Sequence, residues 1–384
     1  MNRHKNYQLL HLNTDSQGGE KKVTDAFLTT CKQLFKKVSV YEVSPPKAAY
    51  YVDAIKNISL LLNISNSFFH FHPSSSLKTI LYSSHSFAII PGIFLKMTGR
   101  VSSFWFHYHG TKIAKYSAEY RNPFKKLVSF ICFHLISAVQ HITEYAAINF
   151  CDVLIAPNQS TLKKINSKSK KTYVIPSFFD EKIFLPTKVT RTNSLNKENL
   201  INIGFIGRIA PEKGILPLLE ACKLAKASIK SIHVTVQSNY NQQLFSKIAA
   251  YKKLLPLQLH ADPNQQDVAQ ILKKLDCVFL PSQSEHFPLV MLESLASGVP
   301  FFATRVGNCP EILSSINSQL LLSSGNAVEI SRKIQWLCSL SHSELDKIKR
   351  RSIRVASQYT LSRFTKEVCQ FVDKQLASDQ KING

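Results

Sequence analysis

Short apolar runs alternate with longer segments along most of this 384-residue chain. Each run is long enough for one β-strand, and the segments between runs are long enough for helices. Because parallel strands are joined by crossovers that are usually helical, this alternation predicts βα units and parallel sheets. The predicted strands are residues 8–12, 38–43, 68–71, 101–106, 153–156, 173–175, 201–206, 232–236, 257–260, 277–280 and 301–304.

A mainly polar stretch separates two sets of these predicted strands. Residues 187–200 have no apolar periodicity and predict a linker. The chain is then expected to form two α/β domains, residues 1–186 and 201–356, each with a doubly wound, Rossmann-like parallel sheet. Residues 357–384 have helical apolar spacing and predict a C-terminal helix. This helix can pack on either domain, and crossing back to the N-terminal domain is one alternative.

The chain is strongly basic. Its formal net charge is +23 at pH 7, and its pI is about 9.6. This balance favours an anionic partner, which can be a nucleoside diphosphate, an acidic membrane surface or a nucleic acid. The sequence contains no RNA-binding motif, zinc-finger spacing or basic zipper, so sequence-directed nucleic-acid binding is disfavoured.

The eight cysteines indicate reduced thiols. No two of them have the two-residue spacing of zinc sites and redox motifs, and no disulfide framework is evident. The first residues contain a short apolar strand rather than the apolar core of a signal peptide. We therefore expect a cytoplasmic protein that folds without disulfides.

Two carboxylates, those of Glu285 and Glu293, lie on either side of a predicted helix start. Pro288 suits the first helical position because its φ is fixed and it lacks an N–H, and Gly298 followed by Pro300 indicates the helix end. Glu293 is then helical, and Glu285 precedes the helix. With a rise of about 1.5 Å per helical residue, the carboxyl groups are expected roughly 10 Å apart or more, wider than the usual glycosidase pair.

A glycine-punctuated segment follows the predicted strand 201–206. Gly207 and Gly214 are expected to allow close backbone approach and unusual φ values, while Arg208 and Lys213 can neutralise a diphosphate. A doubly wound domain binds phosphate at such a turn between a strand and its helix. The alternative is a glycine turn with two surface cations. The spacing fits neither the dinucleotide fingerprint nor a P-loop.

Taken together, these motifs resemble those of family 4 of the glycosyltransferases. The similarity rests on Gly-Arg-x-x-x-x-Lys-Gly from Gly207 to Gly214, on Pro-Ser-x-x-Glu-x-Phe-Pro-Leu-x-x-x-Glu-x-x-Ala-x-Gly-x-Pro from Pro281 to Pro300, and on Gly-x-x-Pro-Glu from Gly307. The resemblance implies the GT-B fold, in which two Rossmann-like domains face each other across a cleft. It also implies a retaining reaction that uses a nucleoside-diphosphate sugar.

The same resemblance implies roles for residues of the C-terminal domain. Glu293 is expected to bind the ribose hydroxyls and Glu285 to lie beside the transferred sugar; a helix-surface acid and a helix-dipole partner are the respective alternatives. Arg208 and Lys213 are expected to stabilise charge on the departing diphosphate, which requires no metal. The residues around the helix start would hold sugar hydroxyls or phosphate: Phe287, Pro288, Leu289 and Val290.

The N-terminal half resembles the family more loosely. Gly18 and Gly19 resemble a loop that family members place near the donor phosphates and the acceptor. His107, His109 and Gly110 lie in a segment that resembles the family's His-Gly motif, in which the histidine, here His109, reaches the donor sugar. The alternatives for the two histidines are metal ligation, because alternate strand residues share a face, and a position in the core.

A further apolar segment, residues 125–139, is too short to span a bilayer. A buried helix is the favoured interpretation. The alternative is an interfacial segment that docks on anionic lipid with the help of nearby lysines, as in family members that glycosylate lipid-linked acceptors.

These observations lead to one expected function. The chain is expected to be a metal-independent, retaining glycosyltransferase that needs no cofactor. It would move a hexose from a nucleoside-diphosphate sugar to a hydroxyl of a glycan or lipid-linked acceptor, in the synthesis of cell-surface polysaccharide, lipopolysaccharide or glycolipid. It would work in the cytoplasm, including the inner face of the plasma membrane as a peripheral protein. The alternatives are a non-catalytic GT-B binding subunit and a basic peripheral membrane-binding protein.

Overall fold

The computed structural model describes residues 4–14, 19–43, 77–84, 89–109, 138, 141–165, 171–186, 200–237 and 242–382. The chain divides into two compact units, residues 1–176 with 365–384 and residues 177–364. The predicted strand 68–71 lies outside the described residues, as do the linker 187–200 apart from Leu200 and the apolar segment 125–139 apart from Ala138.

The first unit contains a six-stranded parallel sheet. Its strands are His4–Thr14 (β1), Phe35–Val43 (β2), Lys78–Ser83 (β3), Ser103–His107 (β4), Val153–Ala156 (β5) and Lys171–Val174 (β6). The order across the sheet is β2-β1-β3-β4-β5-β6, and all neighbouring pairs are parallel. After β2 the chain crosses to the other side of β1, where it forms β3. The direction in which successive strands are added therefore reverses between β1 and β3.

Helices lie on both faces of this sheet. The described helices are Gly19–Leu34 (α1), Ile89–Met97 (α2), residues 141–150 (α3) and Gln159–Ile165 (α4). α1 joins β1 to β2, whereas the later helices lie in connections that step the other way across the sheet. Because such crossovers are right-handed, α1 lies on one face and α2, α3 and α4 lie side by side on the other.

Side-chain packing agrees with this arrangement. Phe27 of α1 stacks on Tyr82 of β3 with ring centroids 4.4 Å apart. Leu95 of α2 and Ile148 of α3 belong to a separate buried cluster that includes Phe104 of β4. The two faces of the sheet thus carry distinct apolar layers, as expected for a parallel sheet covered on both sides.

The second unit contains another six-stranded parallel sheet. Its strands are Ile201–Phe205 (β7), Ile229–Val236 (β8), Leu257–Ala261 (β9), Cys277–Leu280 (β10), Phe301–Thr304 (β11) and Leu321–Leu322 (β12). Their order is β12-β11-β10-β7-β8-β9. The chain moves outward from β7 to β9 and then returns to the other side of β7 at β10. In doubly wound domains, such a reversal opens a ligand crevice at the carboxyl ends of the strands.

Two helices of the second unit begin with a capping box. Asn264 and Asp267 form a capping box at the start of one helix, and Ser341 and Glu344 form another. The helices are Ile215–Leu224 (α5), Gln242–Ala250 (α6), Gln265–Leu272 (α7), Leu289–Ala296 (α8), Cys309–Ile316 (α9), Ala327–Ser339 (α10) and His342–Ala356 (α11).

The final helix, Leu361–Ile382 (α12), lies within the stretch 357–384 that the sequence predicts as helical. Its apolar side chains are buried, and from Thr365 onward it belongs to the first unit. There, Phe371 packs edge-on against Trp105 and Tyr173, with ring centroids 5.0 Å away in each case. Its buried apolar residues are Phe364, Val368, Phe371, Val372 and Leu376.

The structure adds two strands that the sequence pattern did not predict, β3 and the two-residue strand β12. β3 is flanked by Lys78, Thr79 and Ser83, which shorten its apolar run to three residues. It is nevertheless central and is paired on both sides.

No helix in the described part of the chain combines the length and the apolar character that crossing a bilayer requires.

Candidate functional site

Two loops meet at the reversal between β7 and β10. The loop after β7 ends in a short 3₁₀ turn, Pro211–Lys213, followed by Gly214. Gly214 has φ 76° and ψ 25°, in the left-handed region that favours glycine. A Cβ at this position would lie 2.3 Å from the carbonyl oxygen of Pro281. Gly214 therefore allows the β7 loop to pack directly against the start of the β10 loop.

The Lys213 ammonium and the Glu285 carboxylate form an ion pair where these loops meet. Nζ lies 2.6 Å from Oε1, and the side chains are only 15% and 12% exposed. Ser282 Oγ donates a hydrogen bond of 2.8 Å to the same oxygen. The backbone N–H of Gln283 donates to the Glu212 carbonyl at 2.8 Å, which joins the two loops a second time. The structure thus brings the predicted phosphate-loop cation and the predicted loop acid into direct contact.

The loop after β11 packs on the segment that carries Glu285. Gly307 has φ 54°, and a Cβ there would lie 2.4 Å from the His286 carbonyl oxygen and 2.6 Å from that of Glu285. The N–H of Asn308 donates to the His286 carbonyl at 3.2 Å. The backbone at Glu285 and His286 is therefore held by a third loop. A substitution at Gly307 would displace the acid.

Helix α8 begins directly after this segment. Pro288 is its N-cap, with φ −69° and ψ 114°, and Leu289 is the first helical residue. The prediction that Pro288 is the first helical residue is wrong by one position, because its ψ is extended. Phe287 and Val290 are half-buried, whereas Leu289 and Glu293 are buried. The N-terminal N–H groups of α8 therefore lie close in sequence to Glu285.

Arg208 lies on a more accessible part of the β7 loop. Its side chain is 47% exposed, and Nη2 lies 3.6 Å from Oε1 of Glu212. The predicted charged residues therefore differ in environment. Lys213 and Glu285 are paired and largely buried, Arg208 is half-exposed beside Glu212, and Glu293 is buried on α8.

Gly207 differs from Gly214 in its geometry. The prediction of an unusual φ is correct for Gly214 but wrong for Gly207, whose φ lies outside the positive range. A Cβ at Gly207 would meet only Leu280 Cδ1, at an ordinary 3.7 Å. The N–H of Gly207 donates to Thr235 Oγ1 at 3.0 Å. The packing of the described residues therefore gives no reason why this position must be glycine.

In the first unit, the structure brings the start of α1 close to the histidine segment. Gly18 lies outside the described residues, and Gly19 is the first residue of α1. Glu20, in the first turn of α1, is close enough to His107 to raise its pKa by electrostatic attraction. The first turn of α1 and the histidine segment therefore lie close together at the carboxyl edge of the sheet. Gly110 lies outside the described residues.

His107 and His109 share one face at the end of β4, as their spacing predicts. Their rings stack with centroids 4.1 Å apart. His107 is buried, and its Nδ1 lies 2.8 Å from the Tyr82 hydroxyl. Burial lowers the pKa of His107 well below its usual value, and His109 lowers it further, against the opposing effect of Glu20. His107 is therefore a neutral ring that the Tyr82 hydroxyl orients, and His109 stacks on it.

Sequence reasoning missed two residues that contact the predicted groups. Ser282 precedes Glu285 in the Pro-Ser motif, so its position in that motif could have identified it. Tyr82 lies on the unpredicted strand β3 and belongs to no motif, so nothing in the sequence indicated its contact with His107. Among the residues that the structure describes, no cluster of three or more metal-ligating side chains is present.

Comparison with known proteins shows what the chain is similar to. Residues 187–354 match the model of the glycosyl transferases group 1. An uncharacterized glycosyltransferase of Methanocaldococcus jannaschii is 30% identical over 164 residues, which are 40% of this chain and 44% of that protein. A putative colanic acid biosynthesis glycosyltransferase of Salmonella typhimurium is 22% identical over 182 residues, 45% of this chain and 43% of that protein. The chain thus spans less than half the length of either relative.

The fold has a counterpart among solved structures. The Anabaena protein HepE, in complex with UDP and glucose, superposes with a TM-score of 0.69 at 15% identity. The match covers 96% of this chain and 100% of HepE. Two six-stranded parallel sheets covered by helices are the elements of the GT-B architecture. The chain therefore has the GT-B fold, and its residues 187–354 are similar to the glycosyl transferases group 1 family.

Proposed function

We propose that this chain is a retaining, metal-independent glycosyltransferase. It moves a hexose from a nucleoside-diphosphate sugar to a hydroxyl of a glycan or lipid-linked acceptor. We place it in the synthesis of a cell-surface polysaccharide or glycolipid, on the cytoplasmic side of the membrane. The colanic acid name of the Salmonella relative supports the polysaccharide assignment, and HepE with UDP supports a nucleotide-sugar donor.

The observation that carries the proposal is the Lys213–Glu285 pair at the reversal between β7 and β10. An ammonium group held 2.6 Å from a carboxylate with only 15% of its side chain exposed is costly to bury and needs a reason. The pair stands at the edge of the sheet where doubly wound domains bind ligands. Lysine has three donors, and Glu285 Oε1 uses one of them. The remaining donors suit the oxygens of a diphosphate.

The chemistry that follows is electrostatic. When the sugar leaves, negative charge grows on the departing diphosphate, and a fixed cation in a partly dehydrated site stabilises that charge. Lys213 is such a cation because Glu285 holds its ammonium in place. Arg208 is exposed enough to turn toward a second phosphate oxygen and to bind it with its planar fork. The first N–H groups of α8 add the positive end of a helix dipole.

The two acids then have different duties. Glu285 accepts hydrogen bonds from Lys213 and Ser282 through one oxygen. A carboxylate engaged in this way positions the cation and leaves its second oxygen for a hydroxyl of the transferred sugar. Glu293 is buried on α8, where a carboxylate that only accepts suits ribose hydroxyls. Phe287, Pro288, Leu289 and Val290 lie between the two acids. The backbone around this helix start holds sugar hydroxyls or phosphate.

Gly207 fits the same proposal. Its φ is ordinary and the described protein leaves room for a Cβ, so its small size serves something other than packing. A bound diphosphate that approaches the backbone closely is such a reason. In the first unit, we assign Gly18 and Gly19 to donor binding, in a loop near the donor phosphates and the acceptor, and His109 to contact with the transferred sugar. The stacked, oriented His107 supports the assignment of His109.

Slow hydrolysis of the donor tests the proposal without knowledge of the acceptor. Purified protein is incubated with a panel of UDP- and GDP-sugars, and release of the free nucleoside diphosphate is measured. We expect one donor to be hydrolysed by the wild type and at least tenfold more slowly by Glu285→Ala. The matched control is Glu220→Ala, which removes an acid of α5 outside this site. If no donor is cleaved or bound, the chain is a binding subunit or a membrane-binding protein instead.

A further inference from the structure

Two buried threonines lie at the ends of the strands that flank β7 and β10. Thr235 is the last residue but one of β8, and Thr304 is the last residue of β11. They are only 3% and 9% exposed. β8 is the neighbour of β7 on one side, and β11 is the neighbour of β10 on the other. The two threonines therefore lie on opposite sides of the candidate site, next to the strands that carry its loops.

The hydroxyl of Thr235 holds the backbone of the loop after β7. Oγ1 accepts from the N–H of Gly207 at 3.0 Å and donates to the carbonyl of the same residue at 3.3 Å. Because one hydroxyl engages both backbone polar groups of Gly207, it restricts both peptide planes that meet there. Gly207 precedes Arg208 and begins the segment that leads to Lys213. Thr235 therefore holds the loop that carries both predicted phosphate cations.

The hydroxyl of Thr304 holds the loop after β10. Oγ1 donates to the carbonyl of Ser282, whose own hydroxyl donates to Glu285 Oε1 at 2.8 Å. The methyl group of Thr304 lies against the loop after β12, where a Cβ on Gly325 would be 2.7 Å from it. Packing on that side leaves the β-branched side chain little rotamer freedom. Thr304 therefore fixes the residue that in turn holds Glu285.

The two threonines have the same place in the sheet register. The last β7 residue paired with β8 is Phe205, opposite Val234. The last β10 residue paired with β11 is Leu280, opposite Ala303. Each threonine is the next residue of its strand, and its hydroxyl bonds the second residue beyond the last pair on the neighbouring strand. The two sides of the candidate site are thus held in an equivalent way.

A threonine at a strand end can also serve the sheet alone, because it satisfies backbone groups that have left the ladder. At the end of β4, the backbone does this work, since the N–H of Tyr108 donates to the carbonyl of Ile155 at 2.8 Å. The two threonine-held loops differ from this case in their destination. They meet at the ion pair between Lys213 and Glu285, so a shift of either loop moves a charged group of the candidate site.

We propose that Thr235 and Thr304 are positioning residues that jointly align Lys213 with Glu285. The loops are joined at this ion pair, so one threonine partly holds the joined loops when the other hydroxyl is lost. The two threonines are three strand spacings apart, about 14 Å, which rules out direct contact between them. Substitutions that far apart have additive effects unless they act through a shared partner. Coupling between them therefore reports the joined loops.

Valine substitution tests the proposal because it removes the hydroxyl and keeps the branched shape. The variants are Thr235→Val, Thr304→Val and the double variant, with Thr235→Ser and Thr304→Ser to restore the hydroxyl. The control is Thr30→Val, which removes a buried hydroxyl that donates to the Ala26 carbonyl at 2.9 Å within α1. Turnover and KM in donor hydrolysis are measured together with the melting temperature.

We expect each single valine variant to lose about three- to tenfold in turnover, the value of one neutral hydrogen bond, with donor KM nearly unchanged. The serine variants should recover most of this loss, and Thr30→Val should melt earlier but turn over normally. The double variant should lose at least about threefold more turnover than the product of the single losses. Losses that simply multiply, or serine variants as slow as the valine variants, would overturn the proposal.

A second measurement needs no activity and separates this proposal from the proposed function, on which its purpose rests. The coupling between Lys213→Met and Glu285→Gln is measured by urea denaturation in the wild type and in the double valine variant. The valine background should lose roughly half of the coupling or more, because the two loops are no longer aligned. If the double variant does not fold, each single valine variant serves as the background. Unchanged coupling overturns the positioning role, whereas a lack of donor cleavage with reduced coupling overturns only the proposed function.

Discussion

Lys213 Nζ lies 2.6 Å from Glu285 Oε1, and this contact joins two loops that are 72 residues apart in the sequence. Neither residue could be placed by its own neighbours. The contact exists because β7 and β10 are adjacent in the sheet although β8 and β9 separate them in the chain. The topology of the second unit therefore creates the candidate site, and the glycines at 214 and 307 allow its loops to pack closely.

Replacing one partner of this pair should lower the free energy of unfolding. Replacing both partners should recover part of that loss. Lys213→Met leaves the Glu285 carboxylate largely buried without its cation, and Glu285→Gln leaves the ammonium without its acid. Leaving one such group unpaired costs about 1–3 kcal/mol. The double variant should be closer to wild type in stability than the sum of the single variants, and it should remain inactive in donor hydrolysis. A double-mutant cycle by urea denaturation measures the coupling, and additive effects would contradict the ion pair.

Alanine should be tolerated at Gly207 but not at Gly214. At Gly214, both the left-handed φ and the 2.3 Å approach of the Pro281 carbonyl exclude a side chain, so Gly214→Ala should lower the melting temperature strongly or prevent folding. Gly207→Ala should melt like the wild type but bind the donor at least several-fold more weakly. Thermal denaturation and donor KM check these two outcomes. Unchanged donor binding in Gly207→Ala would remove this glycine from the site.

Tyr82→Phe should affect the first unit in a way that a purely structural residue would not. The change removes the hydroxyl that lies 2.8 Å from His107 Nδ1 while keeping the ring that stacks on Phe27. We expect turnover to fall about three- to tenfold, the value of one neutral hydrogen bond, with donor KM unchanged. Tyr173→Phe, on the last strand of the same sheet, is the matched control. A shift in KM without a change in turnover would place Tyr82 outside the positioning of His109.

A buried histidine network should make the second unit sensitive to acid. Ser231 Oγ donates to Asn202 Oδ1 at 2.8 Å and contacts His233 Nε2 at 2.9 Å. Nε2 of His233 is then the donor to Ser231, which leaves Nδ1 to accept from His260 Nε2 at 3.0 Å. Burial, with further contributions from His260 and Lys274, lowers the pKa of His233 to about 4. His233 is therefore neutral in the folded protein near neutral pH.

The sign of the pH effect follows from this lowered pKa. An unfolded histidine titrates near pH 6.5, so between about pH 6.5 and 4 the unfolded chain binds a proton that the folded chain does not. The contribution of His233 to the free energy of unfolding should therefore be complete above that range and should decrease as the pH falls through it. His233→Gln should show a shallower fall between pH 7 and 4 in urea denaturation. An equally steep fall in this variant would assign the acid sensitivity to other groups.

The fold class was predictable because the βα alternation is written in short apolar runs, and the apolar spacing at Phe364, Val368 and Phe371 predicts α12. β3 escaped prediction because its polar ends shorten the apolar run, and pairing with β1 and β4 on both sides compensates. The motifs identified Lys213 and Glu285 separately. Their direct contact depends on strand order, which local sequence does not encode. Gly207 shows the reverse case, since a motif glycine was expected to have a special φ and does not.

The histidine segment shows the same limit. The spacing of His107 and His109 predicts a shared face, and the stacked rings agree with it. The partners of His107 come from α1 and β3, which lie far away in the sequence. Only the assembled sheet could show that a tyrosine and an acid lie beside this histidine.

The most direct test of the central claim is the affinity of UDP and GDP for wild-type protein, Lys213→Met and Lys223→Met, measured by isothermal titration calorimetry. Lys223 is an exposed lysine at the end of α5 and serves as the control. We expect either UDP or GDP to bind the wild type and Lys223→Met with equal affinity. Lys213→Met should bind it roughly 10- to 150-fold more weakly, the value of one charge-assisted hydrogen bond of about 1.5–3 kcal/mol. Equal affinity in all three proteins would show that Lys213 and its partner Glu285 do not form the diphosphate site.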